Sequence, residues 1–209
     1  MPRSFIILVV VAGVLGVLIG SFLNVVAYRV PAKVSLLRES RCPHCDTAIR
    51  PWQNVPVVSW IALRGRCANC KAPISARYPI VEAATGVAFA VVALWGLTST
   101  GVTTGEVLTT AQAWAAAIVI VAYLCFAAIS IVLTLIDLDT HRLPNSIVLP
   151  SYLVAGILFT LAAWLTGEWG RLLVAGIGMA AMYLFYFLLR AARPGGMGGG
   201  VVKLAGVIG

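Results

Sequence analysis

Trp114-Ala-Ala-Ala-Ile-Val-Ile-Val-Ala-Tyr-Leu-Cys-Phe-Ala-Ala-Ile-Ser-Ile-Val-Leu-Thr-Leu-Ile136-Asp137 is an apolar run closed by a carboxylate. The stretch from Trp114 to Ile136 carries no charged residue. As a helix rising about 1.5 Å per residue, it is long enough to cross about 30 Å of hydrocarbon. An ionised aspartate in such a helix costs roughly 2.5–3.5 kcal/mol at the bilayer centre and less near the surface, so Asp137 is a functional-site candidate by default. Leu138-Asp-Thr-His-Arg-Leu-Pro-Asn145 reads as a short polar turn before the next apolar run, which puts the chemistry at a membrane surface.

The rest of the chain has the same character. Of 209 residues, 61% are hydrophobic and only 11% charged, too much apolar surface for a soluble domain of this size to hide. Spans are expected at 4–28, 79–98, 112–136, 146–166 and 171–191. A sixth apolar stretch starts at Val201 and reaches Gly209, which at about 1.5 Å per residue cannot cross. Either the chain is cut short there, or its last piece lies against the bundle without spanning.

Basic residues set the orientation. Arg29, Lys33, Arg38, Arg41, Arg50, Arg64, Arg66, Lys71 and Arg77 crowd loop 29–78, Arg142 follows the third span, and Arg190, Arg193 and Lys203 follow the fifth. Only Arg3 and Arg171 fall on the other side, and loop 99–111 has no basic residue. The positive-inside rule then places loop 29–78 and Asp137 on the cytoplasmic face and the N-terminus outside. The net charge of +8 is explained by topology rather than by nucleic acid. The first apolar stretch is longer than a signal-peptide core and runs through Gly20-Ser-Phe-Leu-Asn-Val-Val-Ala-Tyr-Arg29, so it is read as a retained span with Ser21 and Asn24 facing protein.

Cys42-Pro-His-Cys45 and Cys67-Ala-Asn-Cys70 are two C-x-x-C pairs with 21 residues between them, close to the spacing of a four-thiolate zinc site. Four thiolates leave no open position for water, so the metal is expected to be structural. His44 reads as a surface residue and Cys125, alone in a span, as a packing residue. The segment Arg50-Pro-Trp-Gln-Asn-Val-Pro-Val-Val-Ser-Trp60 and Ile61 to Arg66 is too apolar for a disordered linker. It is either a hydrophobic cluster packing the knuckle or a docking or cofactor surface. Pro194-Gly-Gly-Met-Gly-Gly-Gly-Val-Val-Lys-Leu204 permits positive φ and close backbone approach, and is either a flexible linker or a loop returning toward Asp137. It is not a Walker loop, because no G-K-[ST] follows.

The expected fold is thus all-α and polytopic: a bundle of about five to six transmembrane helices with a small cytoplasmic zinc-knuckle domain. Residues 1–28 form the first span, 29–78 the zinc-binding loop, and 79–209 the remaining membrane core, shortened at its C-terminus.

Taken together these motifs resemble the bacterial type IV prepilin peptidases, membrane aspartyl proteases with a G-x-G-D motif. The likeness covers nearly the whole chain. It rests on Gly20 to Arg29, both cysteine pairs, Pro51-Trp52, Ser59-Trp60, Arg64-Gly-Arg66, Arg77-Tyr-Pro-Ile-Val-Glu82, Ile136-Asp137, Leu143-Pro-Asn145 and Gly195 to Gly206. The resemblance implies a multi-pass enzyme of the cytoplasmic membrane that removes short basic leaders from prepilins and pseudopilins. It also implies N-methylation of the exposed residue with S-adenosylmethionine, an activity associated with the zinc-bearing loop. Glu82 is by resemblance a cofactor or substrate contact, and otherwise an interfacial carboxylate paired with Arg77 or Arg66.

The first catalytic aspartate of that family maps to Asp137. The second follows the glycines Gly198 and Gly200 and maps to position 201, where this chain has Val201. Glu106 and Glu168 are expected on the opposite face, and Asp139 shares the turn of Asp137, so no other carboxylate substitutes. An aspartyl dyad needs one carboxylate to activate water and a partner to hold the proton. Valine can do neither, and the chain as written is expected to lack peptidase activity. The rival readings are a non-catalytic membrane scaffold that binds pilin precursors, and a zinc-binding transporter component; the latter calls for ionisable groups inside several spans, which this chain lacks.

Overall fold

The computed structural model describes residues 3–99, 108–193 and 198–208. Glu106, Pro194 to Met197 within the glycine run, and Gly209 lie outside the described residues. The described chain is helical, with no named strand and two isolated bridges, Arg41 with Ala48 and Arg66 with Pro73. Helices α1 (Arg3–Arg29), α2 (Val58–Ala62), α3 (Arg77–Ser99), α4 (Thr110–Thr140), α5 (Asn145–Thr166), α6 (Trp169–Ala192) and α7 (Gly199–Ile208) follow in order, with a 3₁₀ turn at Pro51–Asn54. Five of them, α1, α3, α4, α5 and α6, are long and apolar enough to cross a membrane.

The chain divides into two compact units, Met1–Leu94 and Trp95–Gly209, with the boundary inside α3. In the first, α1 and α3 touch at backbone distance. A Cβ on Gly16 would lie 2.7 Å from the Thr85 carbonyl oxygen, and one on Gly20 would lie 2.8 Å from the Glu82 Cα. Small residues are what let apolar helices approach this closely, because lipid supplies no hydrophobic drive toward association. Asn24 is buried there and donates from Nδ2 to the Tyr78 carbonyl at 3.2 Å, and Ser21 is half-buried. The chain leaves α1 around Arg29. This guanidinium is also buried, and it donates to the carbonyls of Ser35, Leu36, Arg38 and Glu39 at 2.5–3.5 Å. A buried cation is tolerated when its donors are satisfied, and here it folds the first turns of the loop around itself.

In the second unit α5 packs on α4 and α6, and α7 packs on α6 and α5. Leu133, Ile136 and Val148 form its most buried core. The polar turn after Asp137 is shorter than the sequence suggests. Helix α4 continues to Thr140, whose hydroxyl donates to the Ile136 carbonyl at 2.8 Å, and stops where His141 takes a left-handed φ of 50°. Pro144 then caps α5. The sixth apolar stretch is the ten-residue α7, which docks on its neighbours and is too short to span.

Candidate functional site

The cysteine knuckle of the first unit is built twice. Cys42 donates its N–H to the Thr47 carbonyl at 3.0 Å and accepts at its own carbonyl from Asp46 N–H at 2.9 Å. Twenty-five residues on, Cys67 bonds Ala72 at 2.8 Å and Lys71 at 3.1 Å in the same way. Ile49 N–H to Ser40 and Ile74 N–H to Gly65 close the two turns, at 2.9 and 2.7 Å. Asp46 and Lys71, each just after the second cysteine of its pair, adopt left-handed φ values of 52° and 60°. That reversal turns two thiols of one loop toward the same point.

The four Sγ atoms of Cys42, Cys45, Cys67 and Cys70 all lie within 4.8 Å of one another, and Cys42 and Cys70 are 3.8 Å apart. A tetrahedral zinc with Zn–S near 2.3 Å separates its sulfurs by about 3.8 Å, so the cluster fits such an ion. His44 is exposed and outside the group. Asn69 and Thr47, which the sequence did not single out, support Cys45: Asn69 Nδ2 donates to Thr47 Oγ1 at 2.9 Å and approaches Cys45 Sγ at 3.7 Å. The Thr47 hydroxyl, 3.4 Å from Cys45 Sγ, followed by the Thr47 amide and Asn69, holds that thiol down to about 6. Backbone amides of Cys70 and Asn69 lower Cys67 as well. Cys70 goes the other way: the Ala72 amide lowers it, but desolvation and the neighbouring thiols together raise it to about 11.

Glu82 is buried, and its Oε2 accepts the Val57 N–H at 2.6 Å. Val57 has φ 60° and ψ −52°, and Val58 N–H reaches the Pro56 carbonyl at 2.6 Å, so Pro56 to Val58 form a γ-turn of the rare positive-φ kind. The carboxylate is therefore engaged by the loop backbone rather than by Arg66. In the apolar segment between the knuckles, Trp60 donates to the Ile74 carbonyl at 3.1 Å and covers Gly65, and Ser59 is buried on the Trp52 carbonyl. Trp52, Val55, Val58 and Ile61 point outward. The packing and surface readings of this segment each describe half of it.

Asp137 lies exposed in the last turn of α4, beside the buried Leu135 and Ile136. Carboxylates near a helix C-terminus oppose the macrodipole at about 0.3–1 kcal/mol each. Asp137 and Asp139 both stand there, with no basic residue in the turn. Val201 is half-buried in the first turn of α7, its N–H on the Gly198 carbonyl at 3.1 Å. Its neighbours reach the segment that follows Asp137. A Cβ on Gly200 would lie 2.7 Å from the Leu143 Cβ, and Lys203 Nζ donates to Asn145 Oδ1 at 3.0 Å. Tyr152 donates to the Lys203 carbonyl. Gly199 and Gly200 are helical, and among the described glycines only Gly65 and Gly167 have positive φ. At Gly200, then, glycine serves close approach rather than an unusual backbone angle. Gly198 opens onto free space. Glu168 pairs with Arg171 at 2.9 Å at the start of α6.

The Asn145–Lys203 bond and the Tyr152 contact were missed by sequence reasoning, although a lysine after the glycine run and an asparagine after the proline were both visible.

Residues 14–95 match the Bacterial Peptidase A24 N-terminal domain, and residues 124–209 match the Type IV leader peptidase family. A Neisseria gonorrhoeae protein named prepilin leader peptidase/N-methyltransferase is 36% identical over 95% of this chain and 72% of its own length. One of the same name from Stutzerimonas stutzeri is 34% identical over 100% of this chain and 73% of its own. The Escherichia coli type 4 prepilin-like proteins leader peptide-processing enzyme is 34% identical over 87% and 66% respectively. No solved structure matches the chain.

Proposed function

The chain belongs to the type IV leader peptidase family, and from that premise we propose that it keeps the fold and substrate surface of a prepilin leader peptidase but lacks its hydrolytic pair. One observation carries this reading. The glycine-led α7 packs Gly200 on Leu143, in the turn that follows Asp137, and the residue next to Gly200 is Val201.

Hydrolysis of a peptide bond by two carboxylates divides the work. One accepts a proton from water as it attacks, and the other delivers a proton to the carbonyl oxygen. The sharing of one proton depends on two acids close enough to repel when both are ionised. Asp137 can accept a proton, but Val201 has neither charge nor hydrogen-bonding atom. The predicted result is binding without cleavage, at the cytoplasmic side of the inner membrane, of precursors with a basic leader and an apolar helix. Val201→Asp in the full chain should restore cleavage of a prepilin. Normal cleavage by the valine form would remove position 201 from the site.

A non-catalytic scaffold that holds pilin precursors is the second reading, and the same valine favours it. It predicts that the unaltered chain co-purifies with a prepilin and leaves its leader attached.

The four-cysteine cluster is assigned to zinc, held by Cys42, Cys45, Cys67 and Cys70. The ion would supply a rigid tetrahedral cross-link and no open coordination position. N-methylation with S-adenosylmethionine rests on the relatives' names alone. Glu82 does not fit that cofactor in this conformation, because the residue is 7% exposed and its carboxylate is already bound by Val57. Calorimetry with S-adenosylmethionine decides the matter: no heat at millimolar cofactor removes the activity from this chain.

A further inference from the structure

The knuckle unit carries a surface cavity beside the cysteine cluster, sharing only Cys67 with it. It measures about 440 Å³ and is lined by Ala62, Leu63, Arg64, Arg66, Cys67 and Lys71. Three cations therefore face one space. Arg64 and Arg66 make no side-chain hydrogen bond or ion pair among the described residues, and Lys71 donates only to the Ala68 carbonyl at 3.1 Å. No carboxylate of this unit is available to neutralise them. Glu39 and Asp46 both pair with Arg41, at 3.6 and 3.2 Å, and Glu82 is buried on Val57. All three side chains are exposed, so water screens their mutual repulsion, and an anion placed among them would be attracted by all three at once.

The surface beside this cavity is apolar. Helix α2 runs into it, and Val58 and Ile61 on that helix are 62% and 63% exposed. Trp52, 64% exposed, extends the same chain segment, with Arg50 over its ring at 5.3 Å. Apolar side chains next to an unpaired cationic cluster match a ligand with a phosphate at one end and hydrocarbon at the other. The loop is tied at both ends to membrane spans, α1 ending at Arg29 and α3 starting at Arg77, so such molecules are always within its reach.

We propose that Arg64, Arg66 and Lys71 form a binding site for the headgroup of an anionic phospholipid, with Val58, Ile61 and Trp52 resting against the acyl region of the same leaflet. The occupant is a lipid and not a free phosphate, because a soluble anion leaves the apolar half of the surface wet. The site holds the knuckle unit flat on the bilayer independently of the peptidase chemistry.

The test uses the full chain, delipidated in detergent, titrated with phosphatidylglycerol, phosphatidylcholine or inorganic phosphate and followed by native mass spectrometry. Phosphatidylglycerol should bind about tenfold more tightly than phosphatidylcholine. Each basic residue near an anionic lipid is worth about a factor of five. Arg66→Gln should therefore cost about fivefold, and Arg64→Gln with Arg66→Gln and Lys71→Gln more than tenfold, with the zinc content unchanged as proof of a folded knuckle. A control with Lys33→Gln and Arg38→Gln removes two charges of the loop that do not line the cavity and should keep most of the affinity. Equal binding by the cavity variants and the unaltered chain would overturn the proposal. So would an equal loss in the control, which would mean bulk charge alone, or displacement of the lipid by millimolar phosphate.

Discussion

In the first unit Glu82 lies in the second turn of α3, buried, with its carboxylate bound to the Val57 amide. In the second, Asp137 stands exposed in the last turn of α4, where the helix dipole disfavours it. Both residues draw attention in the sequence because acids are scarce in this chain, and the resemblance marks both. The structure separates them. Glu82 has a backbone donor and a closely packed neighbour in Gly20, so local packing accounts for it. Among the described residues no packing contact of α4 accounts for Asp137, and a carboxylate without such a contact is the better candidate for chemistry.

The sharpest way to break this contrast is at position 201. Val201→Asp should raise prepilin cleavage from background by at least about a hundredfold, the scale of a general acid–base contribution. Adding Asp137→Asn should return it to background, whereas Glu82→Gln should leave the restored cleavage within a few fold. Peptide mass spectrometry of the substrate checks all three, and restored cleavage that survives Asp137→Asn would reverse the contrast.

Metal removal comes next. Structural zinc contributes about 10–16 kcal/mol of apparent binding energy in small zinc-folded peptides. Chelation or Cys67→Ser should therefore open residues 41–74 to proteolysis while α4 to α7 stay protected. Loss of protection in both units together would mean that they do not fold separately.

In the metal-free protein the thiols should differ in reactivity. Cys45 is depressed to about 6 and is a thiolate at pH 7, whereas Cys70, raised to about 11, is a thiol. Alkylation at pH 7 should mark Cys45 before Cys70, although Cys70 is the more exposed. The sign follows from the depressed value: the preference for Cys45 is present at pH 7 and is lost as the pH falls through about 6.

Smaller effects sharpen the picture. Glu82→Leu leaves the Val57 N–H without its acceptor and should cost about 1–3 kcal/mol in thermal or denaturant unfolding. Lys203→Met removes an exposed bond to Asn145 and should cost about 0.5 kcal/mol, which makes it a control for α7 docking.

Much of this was legible in the residues. Apolar runs long enough to span gave five helices within a few residues of their ends, because length and hydropathy are local properties. The cysteine pairs gave the cluster, because a C-x-x-C turn presents both thiols by its own geometry. The end of α4 was misjudged: Leu138 to Asn145 looked like a turn by polarity, but the helix runs on to Thr140, which bonds back to Ile136, and His141 supplies the stop. Glu82 reads from the sequence as a cofactor or substrate contact or as the partner of Arg77 or Arg66, and its bond to the Val57 amide was not foreseen. No pattern in the sequence signals that Val57 will turn its N–H inward, since this depends on a contact between residues 25 positions apart. The cavity of Arg64, Arg66 and Lys71 was equally hidden, because it depends on how the knuckle folds and on where each acid of the unit pairs.

That turn at Val57 has a mechanical side. A β-branched residue at φ 60° and ψ −52° occupies a region that holds only under constraint, at a cost of about 1–3 kcal/mol. The constraint comes from a side chain on a bilayer helix. A single carboxylate oxygen of α3 thus pins the strained turn of the metal-binding loop to the helix that follows it.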